Sequence, residues 1–78
     1  MYILWYETKD GTREERCRSA DLEALCQEIT NQAVLIGKSI PGLTGVRRIP
    51  NELRWCLFFQ LEGRRWETFL YIEDTPEE

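Results

Sequence analysis

The chain has 78 residues, with 10 Lys+Arg against 14 Asp+Glu for a formal charge of −4, no histidine, three cysteines and 42% hydrophobic residues. A chain this short buries only roughly 60% of its unfolded surface and supports one domain with a modest core, which excludes a multidomain enzyme. Three Trp, three Tyr and three Phe, with a hydrophobic fraction near the globular average, favour a folded domain over a disordered segment.

The amino-terminal end carries a run that is typical of a β-strand. Residues 2–7 are aromatic and β-branched, and Asp10-Gly11 supplies the positive φ angles of a tight hairpin turn. Residues 13–18 are almost entirely charged, so we expect them to return as a strand at an exposed sheet edge. Because the apolar run is only five residues long and follows no basic region, we expect no secretory signal, no membrane span and a cytoplasmic protein.

A helix is predicted over about residues 20–36. Ser19 offers an N-cap oxygen, acidic residues follow in the first turn, and Gly37 is placed to end the helix in a left-handed cap. The apolar positions recur mostly at steps of three and four, as one face of a helix requires: Leu22, Leu25, Cys26, Ile29, Ala33 and Ile36. The run 37–45, rich in glycine, is predicted to be a loop.

Three further strands are predicted in the second half of the chain. A short strand at 46–49 precedes a turn, 53–62 has apolar residues at every odd position, and Gly63-Arg64 permits a hairpin into 65–72. The element order β-β-α-β-β-β predicts an α+β fold of two layers, with one helix packed on an antiparallel sheet. The strand order stays open.

The negative charge is concentrated at the carboxyl end. Residues 1–72 carry 10 basic and 10 acidic residues, and the acids within 73–78 supply the whole imbalance. The sequence therefore predicts a single compact, neutral domain over 1–72 and an acidic, frayed tail over 73–78. Removing 73–78 is expected to leave the fold intact.

The chain lacks the residue patterns of an enzyme or a cofactor site. Gly37-Lys38-Ser39 matches the end of a phosphate-binding loop, but Gln32 stands where that pattern needs glycine, and the predicted helix precedes the lysine. Histidine, the commonest general acid or base, is absent. The cysteines form no C-x-x-C pair, which disfavours zinc and favours buried, reduced thiols. We expect no catalytic activity, no cofactor and no metal.

One face of the predicted sheet has nothing to cover it. If the odd positions of 53–62 face the helix, aromatic and arginine side chains lie together on the opposite face, and a single helix cannot cover both. The candidate residues for a protein interface are Arg54, Phe58, Arg65, Phe69 and Tyr71. The favoured hypothesis is a homodimer or a partner protein on this face. In the alternative, strand 13–18 or loop 37–45 folds over it.

The arginines suggest a second hypothesis. Eight of the ten basic residues are arginine, a side chain that binds phosphate and stacks on rings, so the chain is also read as a nucleic-acid-binding or regulatory module. The candidates are the two adjacent pairs Arg47, Arg48, Arg64 and Arg65. Interleaved glutamates and the lack of a basic stripe weaken this reading. In the plainest alternative these arginines form ion pairs across strands on a solvated face.

No motif identifies a family, so the functional prediction rests on size, composition and the uncovered face. We expect a small protein-binding factor without enzymatic activity that acts by surface occlusion. Phages and mobile elements use proteins of this type to inhibit host defence systems, anti-CRISPR proteins among them. The alternatives are the nucleic-acid-binding module and a homo-oligomeric accessory subunit of a larger complex.

Overall fold

A computed structural model describes residues 1–76. Its elements are β1 (Tyr2–Glu7), β2 (Arg13–Ser19), α1 (Leu22–Ser39), β3 (Leu43–Arg48), β4 (Arg54–Leu61) and β5 (Arg64–Asp74). Helix α1 packs on a sheet of five antiparallel strands, which confirms the predicted α+β fold. We call the sheet face against α1 the inner face and the opposite one the outer face.

The last strand of the chain lies at the centre of the sheet. The strand order is β2-β1-β5-β4-β3, so β5 pairs with β1 on one side and with β4 on the other. The edges are β2 and β3, and both carry several charged side chains that oppose pairing with another sheet. The prediction that 13–18 forms a charged edge strand is confirmed.

The core lies between α1 and the inner face. Leu4, Leu57 and Leu70 come from three adjacent strands and are fully buried against the helix. Beside them the rings of Phe59 and Trp66 stack with centroids 5.2 Å apart. The odd positions of β4 therefore face the helix, as the alternation of 53–62 predicted.

The helix begins later than the sequence predicted. Ser19 is the last residue of β2, where it pairs opposite Tyr2, so its backbone is extended and it does not cap the helix. Asp21 is the N-cap, and its carboxylate accepts a 3.0 Å hydrogen bond from the backbone N–H of Glu23. The Ser19 hydroxyl instead accepts a 2.9 Å bond from the N–H of Asp21, which fixes the link between β2 and α1.

The helix also ends later, and the loop predicted over 37–45 is much shorter. Gly37 remains helical, and a Cβ there would lie 2.9 Å from the Leu43 side chain, so glycine allows β3 to pack closely on α1. The left-handed backbone conformation occurs at Gly42 instead, where φ is 101°. A Cβ on Gly42 would lie 2.9 Å from the backbone oxygen of Gln60.

Part of the predicted tail over 73–78 belongs to the sheet. Strand β5 continues through Asp74, whose carboxylate lies 3.9 Å from the amino-terminal nitrogen. Thr75 donates hydrogen bonds from its N–H and its hydroxyl to the Met1 carbonyl, at 2.9 and 3.1 Å. Strand β5 thus extends two residues past residue 72, the predicted end of the domain, and residues 77–78 are outside the described part of the chain.

Candidate functional site

The outer face carries a band of aromatic side chains, which we call the aromatic band: Trp5 of β1, Phe58 of β4, and Phe69 and Tyr71 of β5. Trp5 pairs opposite Tyr71, and all four side chains are half-buried. All five strands lie in one sheet and α1 packs on its inner face, so no helix or strand within residues 1–76 covers the band. Strand β2 extends the sheet, and the residues linking α1 to β3 pack on its inner side. The structure therefore does not support the alternative in which strand 13–18 or loop 37–45 folds over this face.

Arg13 of β2 lies on one end of the aromatic band. Its guanidinium carbon is 4.0 Å from the centroid of the Trp5 ring, and its Nη1 donates a 3.1 Å hydrogen bond to the Tyr71 hydroxyl. The same nitrogen is 3.7 Å from the carboxylate of Glu73. These contacts hold the guanidinium against the indole, a geometry in which a cation is attracted to the ring face.

Arg54 of β4 lies on the middle of the band in a similar way. Its guanidinium carbon is 4.3 Å from the Phe69 centroid and 5.2 Å from that of Tyr71. One of its nitrogens is 3.8 Å from the Glu7 carboxylate on β1, so the contact spans β5. Ion pairs across strands therefore do occur on this face, as the alternative reading of the arginines proposed, but they involve Arg13 and Arg54.

The far end of the outer face holds an open depression of about 650 Å³. Phe58 lines it together with Arg65 and Glu67, which come from the neighbouring strand β5. Arg65 is exposed, and within residues 1–76 it takes part in none of the ion pairs. This end therefore combines an aromatic surface with a free guanidinium group.

The structure places all the candidate residues for a protein interface on the outer face: Arg54, Phe58, Arg65, Phe69 and Tyr71. Sequence reasoning missed Trp5 and Arg13. Alternation along β1 puts Trp5 opposite in orientation to Leu4, but only the pairing of β1 with β5 shows that it joins the same band.

The two arginine pairs, candidates for nucleic-acid binding, are each divided between the faces. Arg47 and Arg65 lie on the outer face, and alternation turns Arg48 and Arg64 toward the inner one. Arg48 is 5.1 Å from the Trp55 ring centroid and donates a 2.9 Å bond to a backbone carbonyl. Arg47 and Arg65 flank β4 at register positions four residues apart, roughly 13 Å along the strand. These four arginines therefore do not form a continuous row on either face.

Cys56 lies on the outer face between neighbours that shield it, and only 6% of it is exposed. Burial, and then the adjacent Glu67 carboxylate, raise the pKa of its thiol to about 11. Burial also raises the pKa of Cys17, which is half-buried like Cys26. Within the described residues no cluster of three metal-ligating side chains occurs.

A second surface was not predicted from the sequence. Helix α1 comes nearest to β1 and β2, and on its other side, before the close approach of Leu43 to Gly37, a groove of about 470 Å³ lies between α1 and β3. Val34 of α1 and Val46 of β3 line this groove with half of their surface exposed, at 51% and 42%. Their apolar character is visible in the sequence, but their exposure depends on where the helix lies across the sheet.

Comparisons of the chain with protein-family models, with curated proteins and with solved structures found no match. Among residues 1–76, no helix has both the length and the apolar character needed to cross a membrane.

Proposed function

We propose that this chain is a small protein-binding factor without enzymatic activity, and that it occupies the surface of a partner protein with the outer face of its sheet. The aromatic band carries this proposal. Tryptophan, tyrosine and arginine are the residues enriched among those that dominate binding energy at protein interfaces. Here they form one continuous surface on adjacent strands, and the guanidinium groups of Arg13 and Arg54 are already held in place.

The charges of the face indicate what the partner presents. Arg13 and Arg54 already form ion pairs with carboxylates of this chain, at 3.7 and 3.8 Å. Arg47 and Arg65 are exposed on the two strands that flank Phe58, opposite Cys56 and Gln60 of β4. A complementary partner therefore presents an apolar side chain to Phe58, flanked by carboxylates that pair with Arg47 and Arg65.

The size of the face supports this role. Five strands about 4.8 Å apart and an 11-residue central strand give a face of roughly 20–25 Å by 35 Å. That area is comparable with the roughly 800 Å² that each protein contributes to an interface of standard size. A rigid sheet also loses little conformational freedom on binding, which favours affinity.

The test uses charge-matched variants on the two faces. Tagged wild-type chain, Phe58→Asp, Arg65→Glu and the control Arg64→Glu are incubated with cell extract, and proteins retained by the wild type are identified by mass spectrometry. Binding of the purified partner is then measured by calorimetry. We expect Phe58→Asp and Arg65→Glu each to weaken binding by at least about tenfold, and Arg64→Glu to leave it unchanged.

Two outcomes would contradict the proposal. One is a purified partner whose affinity does not respond to either outer-face variant. The other is a wild-type mass near twice 9.3 kDa by light scattering that Phe58→Asp returns to 9.3 kDa, because a second copy would then occupy the face. Circular dichroism confirms that each variant is folded.

The partner class suggested by the size of the chain, a host defence system inhibited by a phage or mobile element, remains a further proposal. Its test is transformation of cells that carry a CRISPR system with a plasmid that the system targets. We expect expression of the chain to raise the transformation efficiency, and Phe58→Asp to abolish the rise. An efficiency unchanged by the wild-type chain would contradict this partner class.

A further inference from the structure

Strand β3 lies at an edge of the sheet, and no strand within residues 1–76 pairs with its outer side. On its other side it pairs with β4, and just past its end Ile49 donates a 2.9 Å hydrogen bond to the Arg54 carbonyl. Successive residues of an antiparallel strand turn their backbone groups to opposite sides, so those of Val46 and Arg48 point away from β4. Their N–H and C=O groups can therefore bond to an added strand.

The side chains of the same two residues point toward the inner face, where the groove of about 470 Å³ lies between β3 and α1. We call it the α1–β3 groove. Among the residues that line it are Cys26, Ala33 and Val34 of α1, Val46 and Arg48 of β3, and Trp55 of β4. Val34 and Val46 are apolar but 51% and 42% exposed. A strand added to β3 would bury both, because every second side chain of that strand would enter the groove.

The charge of β3 indicates which strand the edge accepts. Arg47 and Arg48 stand at its end, and β3 contains no acidic residue. Within residues 1–76 neither arginine takes part in an ion pair. The Arg48 guanidinium lies 5.1 Å from the Trp55 ring centroid, and its Nε donates a 2.9 Å bond to the Glu52 carbonyl, which holds it at the border of the groove. Both faces of this edge therefore attract carboxylates.

The same charges disfavour a second copy of the chain as the occupant. Two β3 strands paired with each other would place the arginines of both chains along one shared edge, with no carboxylate in either strand to offset them. Like charges on paired strands are destabilising, whereas opposite charges stabilise the pairing. An acidic strand thus fits this edge better than β3 of another copy.

We propose that β3 and the α1–β3 groove bind an extended, acidic segment of a partner protein, which adds to the sheet as a further strand. Backbone hydrogen bonds to Val46 and Arg48 hold the segment, and its small apolar side chains fill the groove. Carboxylates on its other face pair with Arg47. This surface lies at the edge and on the inner side of the sheet, so it is distinct from the aromatic band.

The probe is a capped peptide of about eight residues that alternates valine with glutamate, long enough to span the six residues of β3. It is titrated into the full chain at pH 7.5, and amide chemical shifts are recorded. We expect a dissociation constant of about 0.5 mM or lower. At saturation, hydrogen exchange of the Val46 and Arg48 amides should slow by at least about tenfold, because these amides become hydrogen-bonded. The same peptide with lysine in place of glutamate should bind at least about tenfold more weakly.

Two methylated peptides test whether the backbone makes the contact. One carries N-methyl groups on all valines and the other on all glutamates. Alternate amides of a strand face opposite sides, so methylation of one set removes the bonds to β3 and methylation of the other leaves them intact. We expect one of the two peptides to lose binding and the other to retain it.

A pair of variants on α1 tests the groove. Val34→Glu places a carboxylate in the groove and is expected to weaken binding of the valine–glutamate peptide at least about tenfold. Leu35→Glu is the matched control, because it makes the same change in charge at a neighbouring residue that is 48% exposed and lies outside the groove. It is expected to change the affinity by less than about twofold. Circular dichroism checks that both variants are folded.

Three results would overturn the proposal. The first is the absence of shifts at Val46 and Arg48 with about 5 mM peptide, well above the expected dissociation constant. The second is equal binding of the two methylated peptides, or equal effects of Val34→Glu and Leu35→Glu. The third is a wild-type mass near twice 9.3 kDa by light scattering that Val34→Glu returns to 9.3 kDa, because a second copy would then occupy the edge.

Discussion

Single residues on the outer face have two roles at once. Arg13 and Arg54 cover aromatic rings of their own chain, at 4.0 and 4.3 Å, and they remain at the surface where a partner would dock. Each ring contact stabilises the fold because the ring face attracts the cation, and the accompanying ion pairs add little because water screens exposed charges. Loss of binding in a variant of Arg54 would therefore mix two effects, whereas Arg65, which has no such contact within residues 1–76, reports on binding alone.

The Cys56 thiol gives a prediction at the same scale. Burial raises its pKa from 9.0 to about 11, so the thiolate that reacts with alkylating agents is scarce at neutral pH. We expect iodoacetamide at pH 7.5 to modify Cys56 at least about tenfold more slowly in the folded chain than in urea, as measured by mass spectrometry of peptides. Equal rates in the two conditions would contradict the burial of the thiol.

The direction of the pH dependence follows from the same shift. The pKa of Cys56 in the folded chain is raised above the value of 9.0 for an exposed thiol. The contribution of the protonated thiol to the free energy of unfolding is therefore complete below pH 9. That contribution is lost as the pH rises from 9 toward 11. The free energy of unfolding should therefore fall less steeply over this interval in Cys56→Ala than in the wild type.

At the scale of elements, the short link between α1 and β3 depends on one glycine. Gly42 has a φ of 101°, and a Cβ there would lie 2.9 Å from the Gln60 backbone oxygen. Gly11 has a similar φ of 90°, but a Cβ there would meet nothing within 4 Å. We expect urea denaturation to show a loss of about 1 kcal/mol for Gly11→Ala and about 2–3 kcal/mol for Gly42→Ala. Equal losses would show that Gly42 is not in close contact with β4.

The end of β5 gives a second prediction for an element. Sequence reasoning expected that residues 73–78 could be removed without loss, but Thr75 is bonded twice to Met1, and Asp74 is part of the strand. Deletion of 73–78 should lower the free energy of unfolding by about 2 kcal/mol, since it removes those bonds and shortens the central strand. Deletion of 77–78 is the control. Identical denaturation midpoints for the two truncations would contradict this role.

At the scale of the whole molecule, the arginines do not form one surface. Arg47 and Arg65 are on the outer face, while Arg48 and Arg64 are turned toward the inner one. Proteins that hold a single strand of nucleic acid need a continuous groove of positive charge. We expect a fluorescent oligonucleotide to show no saturable binding by anisotropy at low salt. Binding that weakens steeply with salt and with the double variant Arg64→Glu/Arg65→Glu would contradict this expectation and favour the nucleic-acid hypothesis.

The sequence by itself determined the elements and the fold class. The period of two in 53–62 and the spacing of apolar residues in α1 are local patterns, so they predict a strand and a helix wherever the rest of the chain lies. The first and last residues of each helix and strand were less predictable, because they depend on contacts with residues that are distant in the chain. Ser19 is a good N-cap in isolation, but its pairing with Tyr2 keeps it in β2. Gly37 is a good terminator, but Leu43 packs where its Cβ would be.

Only the tertiary structure decided which residues meet. Strand order depends on hydrogen bonds and packing between segments far apart in the chain, and local periodicity carries no information about them. The pairing of β1 with β5 placed Trp5 beside Tyr71 in the aromatic band. The same pairing brings Arg13 of β2 within hydrogen-bond distance of the Tyr71 hydroxyl. The candidate face was therefore visible in the alternation of β4 and β5, whereas the contributions of Trp5 and Arg13 to it required the folded chain.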